Sequence, residues 1–225
     1  YLIIPSSNTN TIQSELDSLI AWSKQSNLSL NLNKSFELII HNSHKKITLP
    51  PAHTSITRTD QLKILGVTFT SKLNVAPHIQ HIITKGFQTF HALKTLRSHG
   101  LRGTNLFDVT EALIVSHIKY AAPSWSGFAT RQQLQQLQSL INKLIRLQYL
   151  PSSYPNITNI FNTLDSRLFN KIESNTNHVM HHLLPSIKTH IHNLRQRKHK
   201  YDITTYSTLQ NKTFIPRHLQ FITNN

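Results

Sequence analysis

Cysteine is absent from the 225 residues, which excludes disulfides and every metal site built on thiolates. Glycine occurs only five times, and neither "LGV" nor "HGLRG" fits a nucleotide-binding fingerprint, so glycine-rich phosphate loops are excluded too. No apolar run approaches the ~20 residues that a membrane-spanning helix needs. The opening "YLIIP" is too short for a secretory leader and has no basic segment before it. These absences point to an intracellular chain, in the nucleus or the cytoplasm. Methionine occurs once, at Met180, and Tyr1 opens directly into an apolar, strand-like run. The chain is therefore expected to be a piece of a longer one. Acid is scarce as well, with nine Asp and Glu in all.

Against those nine acids stand twenty-four Lys and Arg, a net +15, with fifteen histidines in reserve. Residues 1–72 carry seven bases against four acids, 73–150 eight against two, and 151–225 nine against three. An excess spread over the last two thirds describes a folded surface facing a polyanion rather than one basic tail. Nucleic acid is the commonest such partner. An anionic membrane surface fits less well, because the helices lack a lysine-flanked aromatic stripe.

The periodicities predict an α+β chain. Asn10 and Gln13 have the spacing of a helix start, and Ile12, Leu16, Leu19, Ile20 and Trp22 then form an apolar stripe. "LNLNKSFELII" reads as strand, turn at Asn33-Lys34 and strand, and "KITLPPAHTSIT" as an edge strand closed by Pro50-Pro51. "LKILGVTF" reads as a strand with Gly66 at a bulge or close approach. After Asn74 the period becomes helical. One long helix is expected over 76–97, stopped at Gly100, a second from Leu106 to Ile118 that halts at "YAAPSWSG", and a third from Arg131 to Ile145. Beyond "PSSYPN" come "TNIFNTLDSRLFNKI" and "HVMHHLLPSIKTHIHNLRQRKHK", two further helices, the latter broken at Pro185. This order divides the chain into a helix with antiparallel strands over 1–72, an all-helical 73–148 and a basic helical extension over 149–225.

Autonomous catalysis finds little support. Glu15 and Asp17 diverge on a helix, Asp108 and Glu111 are expected in a first helical turn where they offset the dipole, and the other acids are scattered. Two-metal phosphoryl transfer needs carboxylates clustered around cations ~4 Å apart. His78 with His81, and His178, His181 and His182, have spacings that can share a metal, yet they read as surface positions of a histidine-rich chain. The cations are more informative. Lys85, Lys94, Arg97 and Arg102 lie on or just past the long helix, Lys119, Arg131, Lys143 and Arg146 on the next two, and Arg195, Arg197, Lys198 and Lys200 in "LRQRKHK". With few acids nearby to pair with them, they can neutralise backbone phosphates.

Taken in order, four stretches resemble the C-terminal part of a reverse transcriptase from a non-LTR, LINE-like retrotransposon of the jockey type. "LDSLIAWSKQSNLSLNLNKS" (Leu16–Ser35) resembles the helix and "LNxxK[ST]" motif that follow the catalytic aspartates of the palm. "LKILGVTFTSKLNVAPHI" (Leu62–Ile79) is similar to the primer-grip hairpin leading into the thumb, and "IVSHIKYAAPSWSG" (Ile114–Gly127) to the signature of the following helices. "LRQRKHKYDI" with "NKTFIPRHL" is a weaker match to the tail of such proteins.

The resemblance implies the end of a palm over 1–72, a thumb over 73–148 and a basic extension over 149–225. It implies RNA-directed DNA synthesis with two Mg²⁺ and deoxynucleoside triphosphates in a complete parent, whose palm and fingers supply the metal-binding aspartates. This chain, which resembles one beginning just after those aspartates, would bind no cofactor alone and would not polymerise alone. Lys34 would stand near the incoming triphosphate, where a cation stabilises the departing pyrophosphate and can supply a proton. Asn31 would shape its turn, and Leu65, Gly66 and Val67 would position the primer strand. Cations of the helices over 76–97 and 131–147 would line the path of the RNA template and its hybrid duplex. Tyr120, Pro123 and Trp125 read as packing anchors between helices. Two other readings stay open: a non-catalytic basic helical module that binds nucleic acid or a protein, and a histidine-rich metal-binding protein.

Overall fold

The computed structural model describes residues 2–41, 48–53, 56–188, 198–202 and 207–224. The chain is α+β and mostly helical. It divides into two compact units, Tyr1–Ile64 with Thr68–Leu73, and Leu65–Val67 with Asn74–Asn225.

In the first unit, helix α1 (Ile12–Gln25) follows a 3₁₀ segment over Ser6–Thr11. The cap expected at Asn10 is not formed. Asn10 lies inside the 3₁₀ segment, and Thr11 takes the N-cap position without a side-chain cap bond. The apolar stripe is narrower than its spacing suggests: Leu16 is buried, Ile12 and Ile20 are half-buried, and Trp22 is 58% exposed. Six residues beyond Leu16, Trp22 sits about 240° around the helix and leaves that face.

The strands are shorter than expected and pair differently. Strand β1 (Phe36–Glu37) pairs with β2 (Thr57–Arg58) in parallel, Phe36 against Thr57 and Glu37 against Arg58, in place of the expected antiparallel arrangement. Arg58 explains the register. Its Nε donates to Glu37 at 2.6 Å, and its other nitrogens donate to the carbonyls of Pro50 and Pro51. "LNLN" forms no strand, because Leu32–Lys34 is a 3₁₀ turn capped by Asn31, whose Oδ1 accepts from the Lys34 N–H at 3.2 Å. A local side-chain bond outweighs a short alternation there. "LKILGVTF" is a hairpin rather than one strand. Strands β3 (Gln61–Ile64) and β4 (Val67–Thr70) are joined by Leu65 and Gly66, whose φ values are +46° and +90°. Two positive-φ residues are what a two-residue type I′ turn requires, so Gly66 serves a turn and not a bulge.

The second unit is helical. Helix α2 (Ala76–Ser98) begins with Asn74 Oδ1 accepting from the Ala76 N–H and with Pro77 in the first turn. It stops at Gly100 as expected. Gly100 has φ +96°, its N–H donates to Arg97 O, and the Leu101 N–H donates to Leu96 O, the two bonds of a Schellman motif. Helix α3 (Gly103–Thr110) runs through a π turn (Glu111–Val115) into α4 (Ser116–Lys119). Asp108 and Glu111 therefore lie well beyond the first turn where they were expected. After Tyr120 come α5 (Ala122–Trp125) and α6 (Arg131–Arg146), the latter opened by a capping box between Thr130 and Gln133. Helices α7 (Ile157–Ser174) and α8 (Phe214–Asn224) complete the unit.

The helix expected over 178–200 does not form in its described part. His181–Leu183 is a single 3₁₀ turn, and Ile187 makes an isolated antiparallel bridge with Tyr201. Asn175 Oδ1 and His178 Nδ1 accept from the N–H groups of Asn177 and Met180, so side chains satisfy this backbone outside a helix.

Trp125 is fully buried at the centre of the unit, with its indole N–H on the Tyr120 carbonyl at 3.0 Å. The edges of His78 and Phe161 meet it at centroid distances of 5.1 and 5.4 Å. His78 is thus a core residue and not the surface histidine expected. A second cluster, Phe169, Ile172, Tyr201, Phe214, Ile215 and Leu219, joins α7 to α8. Residues 149–225 belong to the same compact unit as the helices before them. What fastens α8 is an ion pair. Asp165, 4% exposed, accepts two bonds from Arg217 Nη2 at 2.8 and 3.0 Å, and Arg217 also donates to the carbonyls of Pro123 and Lys212.

Gly127 makes that clamp possible, since a Cβ there would lie 2.0 Å from Lys212 O and 2.1 Å from Arg217 Nη1. Gly127→Ala is expected to lower stability by about 3 kcal/mol, as an overpacked site beside a buried ion pair. Urea unfolding measures it. His218 gives the unit a pH dependence. It is buried with its ring 4.8 Å from that of Phe169, and burial foremost, reinforced by Arg217 and opposed by Asp165, lowers its pKa below 6.5. Near pH 6 the unfolded chain then binds the proton more readily, so stability falls as pH drops below 6.5. His218→Phe is expected to flatten that slope in urea titrations at pH 7.5 and pH 5.5.

Candidate nucleic-acid interface

Helices α2 and α6 carry six Lys and Arg (Lys85, Lys94, Arg97, Arg131, Lys143, Arg146) and no Asp or Glu. They pack side by side in parallel. Ala76, Pro77 and Gln80 line a cleft with Thr130, Gln132, Gln133 and Gln136, while Ile83 and Phe87 line its continuation with Leu140, Lys143 and Arg146. Gly86 permits this approach, because a Cβ at that position would meet Leu140 Cδ2 at 2.9 Å. The part of the cleft beside Phe87 has a volume of ≈ 500 Å³.

The predicted cations divide by use. Lys143 and Arg146 line the cleft, and Lys143 Nζ stands 4.6 Å from the Phe87 ring centroid. Lys94 is exposed and follows Phe87 by seven residues, two turns along the same face of α2. Lys85 is exposed about 160° around α2 from Phe87 and does not join them. Arg97 is held within the fold. Its guanidinium carbon lies 3.9 Å from the Tyr149 ring centroid, and Nη2 donates to the carbonyls of Leu147 and Gln148 at 2.6 and 2.9 Å, capping α6. Arg102 is exposed at the N-cap position of α3. Lys200 pairs with Glu173 at 3.1 Å, and Lys198 is exposed. Arg195 and Arg197 lie outside the described residues.

In the first unit, Lys34 is exposed at the end of the turn that Asn31 caps, with no ion pair among the described residues. Leu65 is 72% exposed at the tip of the hairpin, and Val67 is buried. The space beside Gly66 is filled by Tyr120. A Cβ at Gly66 would lie 3.0 Å from Tyr120 Cε1, and Tyr120 Oη donates to Leu65 O at 3.0 Å. The close approach expected at Gly66 thus takes place within the fold, against a side chain.

A pair of Mg²⁺ ions is the cofactor the resemblance implies, and the carboxylates of this chain do not fit it. Glu37, Glu111, Asp165, Glu173 and Asp202 are each committed to a lysine or arginine. Glu111 also accepts from Tyr154, whose phenol is pushed up by burial and by that carboxylate. Among the described residues no three His, Asp or Glu side chains come together as metal ligands. Among them, too, no helix is long and apolar enough to cross a membrane.

Phe87 is the residue that sequence reasoning misplaced. Its helical spacing from Ile79, Ile83 and Phe90 groups it with the apolar residues of α2, yet it is 48% exposed in the cleft. The signal was present, since it lies about 100° around the helix from Gly86 on the α6-facing side. Compared with known proteins, the chain matches no family model, no curated protein and no solved structure.

Arg97→Gln is expected to lower stability by about 1–2 kcal/mol, through the lost carbonyl bonds and the lost contact with Tyr149. Affinity for a nucleic-acid duplex should change less than about twofold, because a guanidinium already committed to two carbonyls is a weak phosphate contact. Urea unfolding and fluorescence anisotropy on the same preparation separate the two effects.

Proposed function

We propose that this chain binds nucleic-acid duplex through the acid-free faces of α2 and α6, as the palm end and thumb of a non-LTR retrotransposon reverse transcriptase. The observation that carries the reading is the cleft itself, in which Lys143 and Arg146, with Lys94 on the neighbouring face, stand on two helices without a carboxylate. Such cations attract phosphate through a long-range, salt-sensitive field that does not depend on sequence. The order of the four resembling stretches narrows the duplex to an RNA template paired with its DNA product.

In this reading the exposed ammonium of Lys34 meets the triphosphate of an incoming nucleotide, with Asn31 presetting the turn. The hairpin tip at Leu65–Val67 lies along the primer. Deoxynucleotide, metal ions and catalytic aspartates belong to a site completed by upstream palm and fingers sequence, in the nucleus or the cytoplasm. A non-catalytic descendant that keeps only the duplex grip is the second reading. Both readings are compatible with the commitment of five carboxylates to internal ion pairs, because neither asks this chain for metal ligands.

Both readings require salt-dependent duplex binding. For a labelled RNA–DNA hybrid, the logarithm of affinity is expected to fall linearly with the logarithm of salt concentration, by about 0.9 per phosphate contact on the duplex-DNA scale. Lys143→Ala with Arg146→Ala should reduce that slope by about 2. Lys34→Ala should leave hybrid affinity unchanged. Binding that ignores salt, or that ignores the double substitution, removes α2 and α6 from the interface.

A further inference from the structure

The two ends of the α2–α6 cleft differ in chemistry. Amides of Gln80, Gln133 and Gln136 line one end, whereas Phe87, Lys143 and Arg146 line the other. The Phe87 ring is stacked on Phe90 at a centroid distance of 6.1 Å, yet 48% of the residue remains exposed. Lys143 Nζ lies 4.6 Å from one centroid and 4.9 Å from the other, so the ammonium is held over the aromatic pair. An exposed ring beside a cation with no carboxylate partner among the described residues offers what a nucleotide needs. The ring is a stacking surface for the base, and the cation a counter-charge for the phosphate. Gln80 and Gln136 add amide donors and acceptors of the kind that read a base edge.

Size decides what fits. At ≈ 500 Å³ the cleft matches a small-ligand site, for which roughly 300–1,000 Å³ is usual. Packed helices stand only about 8–10 Å apart at their axes. A base pair with both its backbones does not enter such a slot, although a duplex lying across the two helices reaches Lys143 and Arg146 at its rim, whereas one unpaired nucleotide does enter. We propose that the Phe87 end of the cleft captures an unpaired nucleotide of single-stranded nucleic acid, its base on Phe87 and its phosphate on Lys143 and Arg146. This rests on the nucleic-acid reading above and adds to it a site that recognises unpaired strand.

The test uses the full chain and fluorescence anisotropy with three probes: a short labelled oligodeoxythymidine, the matching oligouridine, and a blunt RNA–DNA hybrid. Phe87→Leu keeps apolar volume and removes the aromatic face. It is expected to weaken single-strand binding about 10-fold, the loss of one base stack, while hybrid affinity moves less than about twofold. The stronger of the two single-strand probes identifies the strand captured. Phe87→Trp should bind single strands as the parent does, and its added indole emission should be quenched by the oligomer. Unchanged single-strand affinity in Phe87→Leu, equal losses on single strand and hybrid, or an unquenched indole each overturns the proposal. Failure of the parent chain to bind any probe overturns both the proposal and the reading beneath it.

Discussion

Nine carboxylates serve a chain with twenty-four lysines and arginines, and their placement decides which surface stays cationic. Five are committed to ion pairs: Glu37 with Arg58, Glu111 with Lys119, Asp165 with Arg217, Glu173 with Lys200 and Asp202 with Lys188. None of these acids lies on α2 or α6. The most buried, Asp165, sits where a lone charge would cost several kcal/mol, and Arg217 satisfies it while reaching two carbonyls on other segments. These acids close the fold, and Lys94, Lys143 and Arg146 of two neighbouring helices have no carboxylate partner among the described residues.

Helices α2, α3 with α4, α6 and α7 were legible because their signals are local, whereas α8 was not read as a helix, its short pattern carrying Pro216. An apolar period over 76–97 and a glycine at position 100 are each read within a few residues. The strands were not, because pairing depends on partners far along the chain. β1 meets β2 across about twenty residues, and the bond from Asn31 to the Lys34 N–H captures "LNLN" for a turn before any partner is found. The stretch over 178–200 has a helical period, but Asn175 just before it and His178 at its start accept from the local backbone, and Pro185 cannot donate to a helical ladder.

The candidate site was half legible. That α2 and α6 bear cations without acids can be read directly from their residues. Their adjacency cannot, since some thirty residues and a π turn separate them. Adjacency is what distinguishes the cations from one another. Arg97 and Lys143 carry the same charge and both touch an aromatic ring, yet Arg97 also meets the free carbonyls at the end of α6 and becomes a cap. Lys143, three residues before the end of that helix, stands over the Phe87 and Phe90 rings and has no carboxylate partner among the described residues. A guanidinium fork suits two carbonyls, whereas a lysine ammonium keeps most of its donors free.

Leaving such charges unpaired has a thermodynamic consequence. Lys143 and Arg146 are three residues apart on one helix face, a spacing at which like charges repel by a few tenths of a kcal/mol. No acid on α2 or α6 offsets this, so the cleft is a standing, modest debit against the folded state. A polyanion that enters would remove the repulsion, and would raise apparent stability by mass action to the extent that it binds the folded chain more tightly than the unfolded one. The same residues that weaken the empty fold therefore strengthen the occupied one.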